Sequence, residues 1–349
     1  MSHPYTSMDR SAFWRTGVAE KNPFDIAGLY RKKFSISLED KIATAGSCFA
    51  QHIGHRLKGS GFRYVDLEPG PSILPEAARR TFGYGIYSAR YGNIYTSRQL
   101  LQLYLRAYGK FSPSDDVWRR DGRYVDAFRP AMEPNRFGSL KELQAAREYT
   151  NFAVRRILER CQVFVFTLGL TEAWRSKVDG AVYPTCPGVD AGEFDPDRYE
   201  FVNFTHAEVG ADLLEFISLV RKRNPTMKFI LTVSPVPLTA TASGEHVLVA
   251  TTYSKATLRS VAGEVAGNDA LVDYFPSYEI ITGSPMRSMF FEPNLRSVNA
   301  AGVDLVMRHF YEQHGRVGEP PGEVRVKKVN LSPDDVACDE GRLERWVSP

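Results

Sequence analysis

Cysteine is scarce and scattered in this chain. Its 349 residues hold four, Cys48, Cys161, Cys186 and Cys338, with no C-x-x-C pair, so neither a disulfide framework nor a paired-cysteine metal or redox centre is expected. An excess of one charge is also missing. Lys plus Arg number 44 and Asp plus Glu 41, a formal net charge of +3, too weak a field to argue for nucleic acid or another polyanion as partner. Long apolar runs are absent as well. The longest, Val163 to Leu168 and Phe229 to Val233, are strand-sized, and Met1 to Gly17 is polar and interrupted by Pro4 and Asp9. Neither a signal peptide nor a membrane span is expected, and with unpaired thiols this favours a reducing cytoplasm. No Gly-rich phosphate loop and no His/Asp/Glu cluster at ligand spacing occurs, so no cofactor and no metal is expected.

What is present is ordinary globular composition: 43% hydrophobic, 24% charged, with 21 Phe and 17 Tyr, which excludes disordered and fibrous classes. Length alone suggests roughly two domains. Residues 1–39 lack periodicity and read as an arm. Lys41 to Ala45 is a buried strand ending at Gly46-Ser47, and apolar residues at 49, 50, 53 and 57 then take helical spacing. Phe62 to Leu67 reads as a second strand. Thr96-x-x-Gln99 and Thr205-x-x-Glu208 are capping boxes and Ser139-x-x-Glu142 opens a third helix. Arg120 to Arg123 turns a hairpin between Val117-Trp118 and Tyr124-Val125. Further strands are expected at 162–168, 227–233 and 270–274, and further helices at 246–265 and 299–311.

Helix followed by apolar strand recurs three times, which predicts an α/β fold: a three-layer, doubly wound parallel sheet with long inserts at 68–95, 110–138 and 169–204. In such sheets ligands bind beyond the carboxyl ends of strands. That rule selects Gly46-Ser47-Cys48, Gly169 to Trp174, Ser234 to Leu238 and Phe275 to Glu279. Ser47 is the sharpest candidate, since a small residue on a strand-to-helix turn projects its hydroxyl beside the first helical amides. The bland alternative is an ordinary N-cap. Cys48 beside it is expected to be a buried structural thiol.

Ala45-Gly46-Ser47-Cys48-Phe49-Ala50 resembles the motif that names the GSCFA family, a branch of the SGNH/GDSL hydrolase-like superfamily. The segments Tyr91 to Thr96, Thr167 to Trp174, Thr232 to Pro237, Tyr253 to Lys255 and Tyr274 to Glu279 are similar to its recurrent blocks, in order, over about residues 40 to 312. The resemblance implies a five-stranded parallel sheet between helices and esterase or O-acyltransferase chemistry on a carbohydrate or acylated small molecule, in bacterial polysaccharide biosynthesis. A core of that kind needs on the order of 200 residues, so the chain reads as an arm over 1–39, one elaborated domain over 40–316 and a tail over 317–349.

The resemblance makes Ser47 the nucleophile, with its own N–H, Asn93 and Gly169 as oxyanion donors, and puts Thr171 where the superfamily places an Asn. Asn294 and Ser297 stand where it places an Asp-x-x-His pair, so the usual base is missing from its usual place. His246 and His206, at helix starts on the strand-end side, are the candidates for a relocated base. Glu172 and Glu279 could orient or replace it, with an ion pair to Arg175 as the alternative for Glu172. Arg287 and Arg296 could bind an anionic group. His3, His52, His55, His309 and His314 read as packed or exposed. The competing reading is a non-catalytic glycan-binding or assembly module that has lost its base.

Overall fold

The chain's shape follows from a computed structural model that describes residues 3–315 and positions 336, 339 and 341–343. The rest of the expected tail over 317–349 lies outside the described residues. Four short 3-10 or π turns occupy the first 25 residues. Strand β1 (Ile42–Gly46) then leads into α1 (Phe49–Gly59), and α2 (Glu76–Thr81) and α3 (Ser97–Ala107) follow. The hairpin β2 (Val117–Arg120) and β3 (Arg123–Asp126) precedes α4 (Leu140–Arg160) and β4 (Val163–Leu168). Strands β5 (Glu172–Ser176), β6 (Val182–Tyr183) and β7 (Tyr199–Asn203) come next. They are followed by α5 (His206–Arg221), β8 (Lys228–Val233), α6 (Val247–Asn268), β9 (Val272–Tyr274), α7 (Ser277–Thr282) and α8 (Ala300–His314).

Strands β1, β4, β8 and β9 form a parallel sheet in the order β1-β4-β8-β9, with Ile42 opposite Val163, Val163 opposite Lys228 and Phe229 opposite Val272. The fifth strand expected at 62–67 shrinks to one parallel bridge, Tyr64 to Ile42, on the free edge of β1. Side chains alternate across the sheet as the period of two requires. Ala43, Ala45, Phe164, Phe166, Phe229 and Leu231 pack with α3 to α6, while Ile42, Val163, Val165 and Ile230 pack with α1, α7 and α8. Each buried large apolar side chain contributes on the order of 2 kcal/mol, and the two cores make the three layers.

The region 169–204 is not the long loop expected from sequence. It folds as an antiparallel sheet in the order β6-β5-β7, which shares a small core with the β2-β3 hairpin through Trp118, Val125, Phe128, Tyr183 and Tyr199. Its strands are short and mix polar with apolar residues, so no long apolar run marks them. The capping boxes at Thr96/Gln99 and Thr205/Glu208 form as their spacing predicts.

Candidate active site

Ser47 sits on the turn from β1 into α1. Gly46 makes that turn possible: its φ is +137°, and a Cβ there would lie 2.4 Å from the Thr167 carbonyl oxygen. The Ser47 amide donates to the Thr167 carbonyl at 3.1 Å, while its own carbonyl accepts from the Ala50 amide at 2.9 Å. Its side chain is not a helix cap, because the N-cap position belongs to Cys48 and carries no side-chain cap bond. Ser47 is 3% exposed, and its Oγ has no hydrogen-bond partner among the described residues. Burying a hydroxyl without a partner costs about 1–3 kcal/mol, so the lone pairs of Ser47 Oγ call for a partner from outside the described residues.

Three strand-end segments are stitched together around this serine. Ile94 donates its amide to the Gly46 carbonyl at 2.9 Å, and the amides of Gly169 and Leu170 both donate to the Tyr95 carbonyl at 2.9 Å. Position 169 must lack a side chain, since a Cβ would meet the Cβ of Ser47 at 2.9 Å and the Tyr95 carbonyl at 3.1 Å. The amides of Ser47 and Gly169 were both expected as oxyanion donors. Parallel-sheet and loop pairing consume them, because a buried amide needs an acceptor in the folded chain itself.

Asn93 remains as a side-chain donor. Its Oδ1 accepts from the Tyr87 hydroxyl and from Gln51 Nε2, the latter at 3.3 Å, which directs Nδ2 the other way. The Tyr87 hydroxyl also lies 3.2 Å from the Ser47 carbonyl. Burial, then the nearby Cys48, raises the Tyr87 phenol well above its ordinary range, so it stays a donor.

Lys255, on α6, was not singled out from sequence. It is 1% exposed, and its Nζ donates to the Gly169 carbonyl at 2.6 Å. Ser254 Oγ next to it accepts from the Thr171 amide at 2.9 Å, and Thr171 Oγ1 donates to Asn203 at 2.6 Å. Thr171 therefore ties β5 to β7 and α6, and its hydroxyl is committed to Asn203. The sequence held a signal for Lys255: with Leu258 and Ala262 it shares the buried, helix-period face of α6.

The other candidates are not brought to Ser47. His246 is exposed and caps α6, its Nδ1 accepting from the Leu248 amide at 3.2 Å. His206, exposed at the start of α5, faces Glu264 at 3.3 Å. Glu172 accepts from Thr241 Oγ1 at 2.8 Å, and burial raises its carboxyl. Arg175 pairs with Glu200 instead of Glu172, as residues three apart on a strand face opposite sides. Glu279 pairs with Arg259 and the Tyr274 hydroxyl. Asn294 and Ser297 hydrogen-bond to each other at 3.1 Å, and the Arg296 amide donates to Asn294 Oδ1 at 2.9 Å, closing a surface turn. Arg287 adopts a left-handed conformation at the end of a 3-10 turn.

One more carboxylate does reach the site. Asp339, from the C-terminal stretch, is 2% exposed and accepts from Asn93 Nδ2 at 2.8 Å. No local pattern could have announced this pairing. Among the described residues no group of three or more His, Cys, Asp or Glu could hold a metal ion, and no helix is long and apolar enough to cross a membrane.

The family model of the GSCFA family matches residues 41–310, and the chain belongs to that family. A comparison with curated protein sequences gives no significant match. Among solved structures, the chain is similar to an acetyl xylan esterase, Est2A, from the rumen bacterium Butyrivibrio proteoclasticus. Identity is 14% and the TM-score 0.23, over 69% of this chain and 56% of the esterase.

Proposed function

We propose that this chain is a serine-dependent acyl-transfer enzyme that removes or transfers an O-acyl group on a carbohydrate, in the making of a bacterial polysaccharide. The observation that carries this reading is the buried Ser47 Oγ at a strand end, against Gly169 and without a partner among the described residues. Ser47 Oγ attacks the acyl carbonyl, and Asn93 Nδ2 donates to the oxygen that becomes negative. One such donor is worth about 2.7–4 kcal/mol in the transition state. Lys255 Nζ, held on the Gly169 carbonyl beside Ser47, relays the Ser47 proton to the departing sugar oxygen. Water or a second hydroxyl then takes the acyl group from Ser47. Trp174 and the 47%-exposed Phe194, edge to face at 5.2 Å, offer ring surface for a sugar a few residues beyond Gly169.

The test is turnover of p-nitrophenyl acetate and acylated sugars by the purified chain and by Ser47→Ala. The variant is expected to be inactive; equal turnover would sink the mechanism. A second reading, a glycan-binding module without catalysis, is favoured by Asn294 and Ser297 in place of the acid-base pair. It predicts no labelling of Ser47 by a fluorophosphonate and sugar binding indifferent to Ser47→Ala.

A further inference from the structure

The C-terminal stretch is pinned at two points three residues apart. Inside the site, Asp339 Oδ2 accepts from Asn93 Nδ2 at 2.8 Å, and the Asp339 amide donates to the Tyr95 hydroxyl at 3.1 Å. Outside it, Arg342 pairs with Asp190, whose backbone carbonyl accepts from Arg120 at 2.6 Å. Two anchors on separate elements argue for a built seat.

The chemistry of the inner anchor is specific. Asn93 cannot turn its amide away, because Tyr87 and Gln51 hold its Oδ1 from behind. The donor that the acyl oxygen needs is thus occupied by a carboxylate, which has the planar shape and the charge of a released acid product. Among the described residues no hydrogen bond joins Asp339 to Ser47 Oγ. Asp339 lies beyond the residues that the family model matches, 41–310.

We infer that Asp339 is a self-inhibitory product mimic: the C-terminal stretch fills an acyl subsite formed by Asn93 and Tyr95, for which short-chain carboxylates and acyl groups compete. This rests on Ser47 being the nucleophile. Closing a site in about nine molecules of ten lowers its apparent reactivity about tenfold, so releasing the stretch restores that factor.

The experiment uses the full chain and two independent readouts. The first is the rate of Ser47 labelling by a small fluorophosphonate. Asp339→Ala is expected to raise it about tenfold, and Arg342→Ala, which removes the outer anchor without touching the site, to raise it severalfold. An unchanged rate in Asp339→Ala overturns the inference, and a lower one does so by making Asp339 a participant in the reaction. The second readout is hydrogen exchange of the amides at 339 and 341–343. Asn93→Asp, which sets two carboxylates face to face, and acetate in place of chloride at equal ionic strength are each expected to speed exchange. Unchanged exchange in both overturns the seating. Faster exchange with no labelling in any variant supports the seating and overturns the nucleophile, so the two failures are distinguishable.

Discussion

Gly169 and Ser47 touch so closely that a Cβ on the first would stand 2.9 Å from the Cβ of the second. The backbone there cannot retreat, because the Gly169 amide is bonded to Tyr95 and its carbonyl to Lys255. Gly169→Ala is therefore expected to push Ser47 aside. Displacing a reacting group by about 1 Å costs on the order of 10²-fold in rate, and the added methyl costs about 1–3 kcal/mol of stability. Turnover and a urea unfolding midpoint measured on the same preparation check this; full activity would show that Ser47 tolerates the shift.

Lys255 separates a proton carrier from a structural cation. Lys255→Arg keeps a donor for the Gly169 carbonyl but cannot give up its proton at neutral pH. It is expected to lose about 10²–10⁴-fold in kcat. Lys255→Met leaves the buried carbonyl without this donor and is expected to lose about 1–3 kcal/mol of stability. An arginine variant with the parental rate would take Lys255 out of the proton step.

The two histidines favoured from sequence lead to the opposite expectation. His246 is engaged in capping α6 and His206 in facing Glu264. Their alanine variants are expected to keep kcat/KM within about twofold, with His246→Ala losing a helix cap of about 0.5–2 kcal/mol. A loss of about 10²-fold in either would restore that residue as the base.

These cases also show which features were legible in the sequence. Gly46-Ser47 and the capping boxes at Thr96 and Thr205 depend on contacts within a few residues, so their spacing announces them. The antiparallel sheet over β5 to β7 has short strands of mixed composition whose pairing is set by packing on the β2-β3 hairpin, which no local pattern encodes. Tyr64 keeps one bridge to Ile42, a strand in composition that tertiary packing trims to a point. Lys255 resembled a solvated charge by residue type, although its place in the α6 register put it inside. Asp339 and Asn93 stand 246 residues apart, and a contact of that range leaves no trace in either neighbourhood.

Tyr30, from the N-terminal arm, lies 2.9 Å from both Asp273 Oδ2 and His314 Nε2. Its single proton goes to Asp273, so Nε2 of His314 must be the donor to Tyr30, and Nδ1, buried without a partner among the described residues, carries no proton. Burial first, then Lys32 and Lys228, lowers the His314 imidazole from 6.5 to about 3. The unfolded chain therefore binds a proton between pH 6.5 and 3 that the folded chain refuses. Stability from this group is complete above pH 6.5 and falls as the pH drops through that window. His314→Gln, which offers the Tyr30 hydroxyl an amide donor and does not titrate, is expected to lose less stability than the parent between pH 7 and 4. Urea unfolding midpoints across that range measure the difference, and parallel slopes for the two proteins would remove His314 from the acid response.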